Sequence, residues 1–324
     1  MIKKFIQKHI RIDFNKNTKL TYYLANLLKQ LIPDFYYKQK LNELMKEDID
    51  EQILQRVNYY NKIKTNFELD SNAVSIEDFI KNEKKKTYYF DLLEYLRYFD
   101  KKLKISYLFG DITTIPETPS FLKSRPIEGD NQNSILMKLN KIRHFIFVDD
   151  KRSFREKKDM IVWRGKCYTK YRKKFIQEFY DKPFCNIGQT NTKGETDIPW
   201  QKEKMSLEKQ LEYKFILAIE GNDVASNLKW VMSSNSLAFM PKPKYETWFM
   251  EGTLIPNHHY VLLKDDCSDM EEKVAYYSTH TDEAKEIIKN ANAHVAQFKN
   301  KKREDIISLL VMQKYFQDSG QLKV

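Results

Sequence analysis

Charged residues follow short apolar runs at two places in this sequence. Asp111 comes after the apolar run 105–109, and the tripeptide Arg-Gly-Lys at 164–166 follows the run 160–163. A carboxylate can act as general base toward a hydroxyl group, and the planar fork of an arginine suits a diphosphate. From the residues alone, Asp111 is either a base or a turn residue. Arg164 is either a phosphate ligand or a surface arginine in a turn.

A turn-rich stretch at 220–226 is a third candidate. The apolar run 213–219 before it has the length of a buried strand, Gly221 suits a turn, and 224–233 has apolar residues at helical spacing. Ligands of parallel α/β sheets bind where loops leave the strand ends. The free N–H groups at a helix start attract phosphate. The pattern therefore predicts a phosphate loop, although many α/β domains carry such a loop without a ligand.

Apolar runs and helical periodicity place the other elements of an α/β protein. We predict further strands at 105–109, 144–148, 160–163, 184–187, 237–240 and 259–263. We predict helices at 38–66, 87–100, 135–142, 170–179, 245–250, 270–278, 281–299 and 303–316, and amphipathic helical material at 1–35. Ser75 is the expected N-cap of one more helix. Three prolines make 112–127 an expected irregular loop.

The composition is that of a globular protein with a basic surface. The chain has 324 residues, of which 41% are hydrophobic, and a formal net charge of +11. This length allows two domains, and the polar stretch 149–159 divides them into 1–155 and 156–324. Three cysteines without metal-ligand spacing suit a reducing compartment. The basic segment 1–14 lacks the apolar core of a secretory signal, and no run approaches the roughly 20 apolar residues of a membrane span. We expect a cytoplasmic protein.

The excess of lysine and arginine is concentrated in short clusters. They lie at 3–4, 84–86, 170–174 and 299–303. Solvated helix faces are one explanation, and docking to anionic lipid or to a phosphate-decorated lipid acceptor is another. None of the clusters has the aromatic and glycine pattern of an RNA-recognition motif, and zinc-finger spacing is absent. Peripheral contact with an anionic membrane therefore stays open, whereas nucleic acid is not an expected partner.

Two stretches resemble the C-terminal half of glycosyltransferase family 90, namely EYKFILAIEGNDVASNLKWVMSSNSLAFMPKPKYETWF and HHYVLLKDDCSD. The segment VWRGK at 162–166 is similar to the family's (F/W)RG segment, and GDI at 110–112 stands where members carry a catalytic aspartate. The resemblance covers residues 106–298. It implies a GT-B-like fold, in which two Rossmann-like domains face a cleft, here with a helix-rich N-terminal region. Residues 1–155 would then bind the acceptor and 156–324 the nucleotide sugar, with the last helix packing back on the first domain.

The resemblance also implies an inverting transfer of a hexose, glucose or galactose, from a UDP-sugar to the core of a lipopolysaccharide or lipooligosaccharide. Asp111 would be the base, since inversion in one displacement needs one carboxylate and no covalent intermediate. The donor would be bound by the following residues: Arg164, Gly165, Lys166, Gly221, Ser226, Asn227, Lys229, Glu246, Tyr260 and Leu263. The paired aspartates at 149–150 and 265–266 lack the Asp-x-Asp spacing of metal-dependent transferases. No metal ion or cofactor is expected.

One position departs from the family. Animal members carry an arginine on the helix after the phosphate loop, where this chain has Asn227. Asparagine donates a hydrogen bond but carries no charge. Either Lys229 replaces that charge or this chain depends more on Arg164. Three alternatives stay open: a capsule polysaccharide acceptor, a protein acceptor, and a basic nucleic-acid-binding protein with an unrelated α/β domain.

Overall fold

A computed structural model describes residues 19–191 and 198–323, so the part of the predicted helical material at 1–18 lies outside the described residues. The helices are α1 (Lys19–Lys29), α2 (Asp34–Leu44), α3 (Glu51–Tyr60), α4 (Ile76–Asn82), α5 (Thr87–Leu96), α6 (Lys141–His144), α7 (Lys170–Phe179), α8 (Leu207–Gln210), α9 (Leu228–Met232), α10 (Met270–Thr279), α11 (Thr281–Ala296) and α12 (Lys301–Asp318). The strands are β1 (Val74–Ser75), β2 (Lys104–Ile105), β3 (Ser120–Leu122), β4 (Ser124–Pro126), β5 (Ser134–Leu136), β6 (Lys158–Gly165), β7 (Cys185–Gln189), β8 (Tyr213–Leu217), β9 (Leu237–Pro241), β10 (Tyr245–Thr247) and β11 (Val261–Leu263).

The second half of the chain is built around a parallel sheet of five strands, in the order β11-β9-β8-β6-β7. Neighbouring residues of a strand enter different apolar clusters. Phe215 and Leu217 pack with α7 and α10, whereas Ile216 packs with α9 and with much of the first half of the chain. Both faces of the sheet are buried, which explains why its strands are apolar throughout. The predicted α/β class is confirmed.

The strand order creates a crevice at one edge of this sheet. Taken in chain order, the five strands have the doubly wound arrangement 2-1-3-4-5. From β6 the chain first passes to β7 on one side, and it then crosses back past β6 to β8 on the other side. Ligands of open α/β sheets bind outside the carboxyl ends of the strands at such a switch point.

The first half of the chain has a different character. In the described part before residue 156, β1 pairs with β2 and β3 pairs with β5, each as a two-stranded ladder. Helix α5 buries seven side chains there, and α3 and α4 bury four and two. Ser75 caps α4 as predicted, because its hydroxyl accepts the Asp78 N–H at 3.0 Å. The arrangement of two Rossmann-like domains and the division at residue 155 stay predictions.

Buried contacts join the two halves. Strand β4 pairs antiparallel with β10, which places Arg125 opposite Glu246. The two side chains form an ion pair of 2.8 Å and are both buried. The Trp248 ring stacks on the Tyr60 ring with 3.8 Å between centroids. Helix α12 packs on α3 and α5. These contacts belong to one apolar cluster that extends across both halves.

Several local predictions are wrong. Residues 245–247 form strand β10 instead of a helix, because β4 supplies a pairing partner far away in sequence. Part of the helix predicted at 135–142 is strand β5, whose Ile135 and Leu136 are fully buried beside β3. The run 144–148 is not a strand, and of the strand predicted at 105–109 only Ile105 lies in a strand, β2. The expected loop 112–127 contains β3 and β4.

Other elements keep their predicted position with shifted ends. The helix after the phosphate loop begins at Leu228 and not at residue 224, and the pattern at 38–66 is divided into α2 and α3. Helix α7 has the predicted bounds, and α10, α11 and α12 differ from prediction by up to three residues at an end. Among the described residues, no helix combines the length and apolar character needed to cross a membrane.

Candidate active site

A cavity of about 520 Å³ lies at the carboxyl ends of β6 and β8. Its walls are formed by the end of β6, the loop after β8, the start of α7, and two residues from the first half of the chain. The lining residues are Asp111, Arg143, Trp163, Arg164, Gly165, Lys166, Tyr168, Thr169, Arg172, Thr190, Gly221, Asn222, Asp223, Val224, Ser226 and Asn227. The cavity therefore occupies the switch point of the sheet.

The structure brings seven of the predicted site residues together in this cavity. They are Asp111, Arg164, Gly165, Lys166, Gly221, Ser226 and Asn227. At two positions in or next to the cavity, only glycine fits. Gly110 has a φ of 125° at the turn before Asp111, which side chains rarely adopt. A Cβ at position 165 would overlap the Trp163 indole.

Asp111 is held by two hydrogen bonds. Its Oδ1 lies 2.6 Å from the Lys123 ammonium, and its Oδ2 accepts from the Asn222 amide at 3.3 Å. Burial by itself would raise the pKa of the Asp111 carboxyl. The hydrogen bond and charge of Lys123 outweigh burial, so that this pKa lies below its usual value of 3.8. Asp111 is therefore ionised at neutral pH and half-buried at the cavity wall.

Lys123 links the first half of the chain to the loop after β8. It is 1% exposed, and its ammonium lies 2.6 Å from Oδ1 of Asp111 and 2.6 Å from Oδ2 of Asp223. The Ser124 hydroxyl donates to the same Asp223 carboxylate at 2.7 Å. Burial lowers the pKa of Lys123, but the two carboxylates more than compensate and raise it. The ammonium therefore stays charged and fixes both aspartates.

Two cavity arginines are fixed by backbone carbonyls. Arg164 donates to the carbonyl of Asn186 at 2.7 Å and to the Asn186 side-chain oxygen at 2.8 Å, which ties β6 to β7. Arg172 donates to the carbonyls of Ile219 and Glu220 at 2.6 and 2.9 Å, which ties α7 to the loop after β8. Carbonyl oxygens do not neutralise a guanidinium, so both positive charges remain.

The other two cations of the cavity are free to reorient. Arg143 and Lys166 are exposed, and within the described ranges neither side chain has a carboxylate within 4 Å. Lys166 lies over the Tyr168 ring. Fixed Arg164 and Arg172 and movable Arg143 and Lys166 form the basic part of the cavity. A ligand with several negative charges close together, such as a diphosphate, suits this arrangement.

Four predicted donor residues lie outside the cavity walls. Lys229 is fully buried in an ion pair with Glu251. Glu246 binds Arg125 through one carboxylate oxygen and Tyr59 through the other. Tyr260 and Leu263 are buried in the apolar core. Their donor-binding roles stay predictions. Lys229 is not positioned to replace the family arginine at 227, where Asn227 donates instead to the Leu217 carbonyl at 2.8 Å.

Three charged residues that line the cavity, and Lys123 behind them, were missed by the sequence analysis. Arg172 stands in the predicted basic helix, where its place in the first turn could have indicated contact with a strand end. Asp223 was taken as a turn residue. Lys123 lies in the expected loop, and Arg143 in a segment assigned to no element between a wrong helix and a wrong strand. Nothing local distinguishes Lys123 or Arg143 from surface cations, because the fold brings Lys123 to Asp223 and Arg143 to the cavity from distant positions in the sequence.

Within the described residues, no group of three or more His, Cys, Asp or Glu side chains has the geometry of a metal site. That the reaction needs no metal ion stays a prediction.

This chain matches a family model and a curated protein. Residues 135–317 match the model of Glycosyl transferase family 90. A curated protein of Dichelobacter nodosus, described as O-glucosyltransferase LpsA, is 45% identical to this chain over 261 residues, which is 81% of each protein. The family match contains the cation-lined end of β6 and the loop after β8, whereas Asp111 and Lys123 lie before it.

Proposed function

The chain belongs to glycosyltransferase family 90, and from this premise we propose that it transfers a hexose from a UDP-sugar to a saccharide acceptor with inversion. Glucose is the first candidate, because the relative from Dichelobacter nodosus is described as an O-glucosyltransferase. Galactose is the second. The acceptor we propose is the core of a lipopolysaccharide or lipooligosaccharide, reached at the cytoplasmic face of the inner membrane.

One observation carries this proposal: an ionised aspartate and four cations face the same cavity. Transfer from a nucleotide sugar needs a base for the acceptor hydroxyl and positive charge for the departing diphosphate. Asp111 stands on the wall contributed by the first half of the chain. Arg164, Lys166 and Arg172 come from the sheet edge and α7.

The reaction would proceed as one displacement. The acceptor oxygen attacks the anomeric carbon while Asp111 takes its proton, and the bond from that carbon to the β-phosphate oxygen breaks. The leaving UDP keeps the electron pair, and its added charge is balanced by the cations of the cavity. Lys123 and Asn222 each bind one oxygen of the Asp111 carboxylate and so fix the orientation of this group toward the acceptor.

A ligand titration tests the donor. We expect UDP and UDP-glucose to raise the melting temperature, since a ligand that binds only the folded state stabilises it. The shifts with UDP-galactose and UDP-N-acetylglucosamine show which sugar is preferred, and a parallel series with EDTA tests whether binding needs a metal ion. No shift with any of these nucleotides would exclude the donor site. Steeply salt-dependent binding to arbitrary DNA would then favour a nucleic-acid-binding protein.

The variant Asp111→Asn tests the base. We expect transfer to fall about 10²–10⁴-fold, the usual contribution of a positioned base, while UDP affinity stays within about twofold because the cations remain. Calorimetry with UDP checks that the site is intact. Full transfer activity in this variant would refute the assignment of Asp111. Core oligosaccharide, capsule polysaccharide and protein, offered as separate acceptors to the wild type, decide the acceptor class.

A further inference from the structure

Helix α1 turns its leucines toward solvent, whereas its two tyrosine rings pack on Phe90 and its polar groups face the protein. Leu20, Leu24 and Leu28 are 77%, 56% and 58% exposed. On the inner side, the Tyr22 hydroxyl donates to the Asp91 carboxylate at 2.6 Å, and Lys29 forms an ion pair with Glu94 at 2.9 Å. A surface helix of a globular protein normally has the opposite arrangement.

The exposed apolar side chains form one continuous surface. Five leucines recur at helical spacing along one side of α1 and its C-terminal turn, and a phenylalanine at the start of α2 follows. This leucine face consists of Leu20, Leu24, Leu27, Leu28, Leu31 and Phe35, all exposed. Single exposed leucines are ordinary, but a contiguous apolar surface marks an interaction site.

Exposed lysines border the leucine face. The Tyr22 hydroxyl also donates to the Thr87 carbonyl at 3.1 Å, which places the exposed lysine cluster 84–86 beside the N-terminal part of α1. Lys19 and Lys38 are exposed near the two ends of the face. In the described ranges, none of the ammonium groups of these five lysines has a carboxylate within 4 Å. The surface thus combines an apolar centre with an unneutralised positive border.

We propose that the leucine face inserts into the interfacial region of an anionic bilayer, while the bordering lysines contact lipid phosphates. An apolar helix side with flanking cations is the pattern that binds such interfaces. A second copy of this chain would bring the same lysines to the same border, and their repulsion disfavours a dimer. The surface lies outside the cavity, so lipid binding does not depend on the proposed donor or base.

Vesicle co-sedimentation of the full chain tests this surface. We expect binding to vesicles of phosphatidylglycerol and phosphatidylcholine, weak binding to phosphatidylcholine alone, and weakening by salt. The double variant Leu24→Ser/Leu28→Ser should reduce the partition coefficient roughly tenfold or more, because it removes two of the apolar side chains that would enter the bilayer interface. Leu54→Ser is the matched control, because Leu54 is 47% exposed on α3 and should leave binding unchanged.

Other outcomes would overturn the inference. Equal binding of the double variant and the wild type to anionic vesicles would exclude the leucine face. A wild-type dimer by analytical ultracentrifugation that the double variant loses would assign the face to a second copy. A lower melting temperature of the double variant, without vesicle binding of the wild type, would assign it to residues 1–18 of the same chain. UDP binding is measured in each variant, so that failure of lipid binding and failure of the donor site are distinguished.

Discussion

Lys123 favours the ionised form of Asp111 and also fixes the position of its carboxylate. The carboxyl group is half-buried, and burial favours the protonated form, but the lysine ammonium at 2.6 Å favours the ionised form and prevails. A base must be ionised to act. The lowered pKa therefore places any acid limb of the rate profile that is due to Asp111 below pH 3.8.

Replacing Lys123 by methionine should move that limb. Without the ammonium, burial is opposed only by the Asn222 hydrogen bond and the charge of Arg143, so the pKa of Asp111 rises. We expect the acid limb of kcat/KM to shift to higher pH in Lys123→Met, with lower kcat and nearly unchanged UDP affinity. Asp223 also loses its partner in Lys123→Met. The double variant Lys123→Met/Asp223→Asn should therefore regain stability, while its acid limb stays at the higher pH. Lys138→Met, which removes a lysine paired with Glu304 outside the cavity, is the control. An unmoved limb would show that Lys123 has only a structural role.

The movable cations should contribute most directly to binding of the leaving group. Arg143 and Lys166 lack carboxylate partners in the described part of the chain, so each can form a charge-assisted hydrogen bond to UDP. Such a bond contributes about 1.5–3 kcal/mol, and we expect Arg143→Ala and Lys166→Ala each to weaken UDP binding roughly tenfold to a hundredfold. Isothermal titration calorimetry measures this loss. Lys174→Ala, on α7 but outside the cavity, should bind UDP like the wild type, and equal losses in all three variants would indicate only a general charge effect.

At the scale of elements, the loop after β8 is held by Glu220. Its carboxylate accepts the backbone N–H groups of Lys244 and Tyr245 at 3.0 and 3.1 Å, which ties the end of β8 to the turn between β9 and β10. Burial raises the pKa of Glu220 to about 7, although these two hydrogen bonds act in the opposite direction. The folded chain therefore binds this proton more tightly than the unfolded chain does.

This proton makes stability depend on pH. Between pH 4.5, the ordinary pKa of glutamate, and about 7, the folded chain holds more protons at Glu220 than the unfolded chain. Stability from this group must therefore fall as pH rises through that window. Glu220→Gln keeps an acceptor oxygen but cannot ionise, so its melting temperature relative to the wild type should increase from pH 5 to pH 8. Thermal unfolding at both pH values measures this change, and a constant difference would contradict it.

At the scale of the whole molecule, the two halves are joined through a buried ion pair. Glu246→Gln should cost about 3–5 kcal/mol of unfolding free energy, because it leaves the Arg125 charge buried and uncompensated. Arg125→Met/Glu246→Leu should cost clearly less than the sum of the single variants. Urea unfolding followed by tryptophan fluorescence measures both. Additive losses would show that the two side chains do not stabilise each other. Since one apolar cluster extends across both halves, we expect a single transition.

The sequence by itself determined the elements that are specified by local pattern. Apolar runs identified β6, β7, β8, β9 and β11, and helical periodicity identified α7 and the last three helices. The resemblance to the family assigned the segments 164–166 and 221–227 to one donor site, and the carboxyl ends of parallel strands do meet at one edge. The resemblance to the family added Asp111, which local chemistry alone left as a turn residue.

The tertiary structure alone decided which residues support these groups. Lys123 meets Asp223 from 100 positions away, and Arg125 meets Glu246 across 121 positions. No local periodicity reports such partners. Strand β10 was mistaken for a helix for the same reason, because its identity depends on β4. The leucine face was read as part of an ordinary amphipathic helix, since a pattern shows that one side is apolar but not which side faces the protein. Burial and pairing are properties of the folded chain, and only there do these residues acquire their roles.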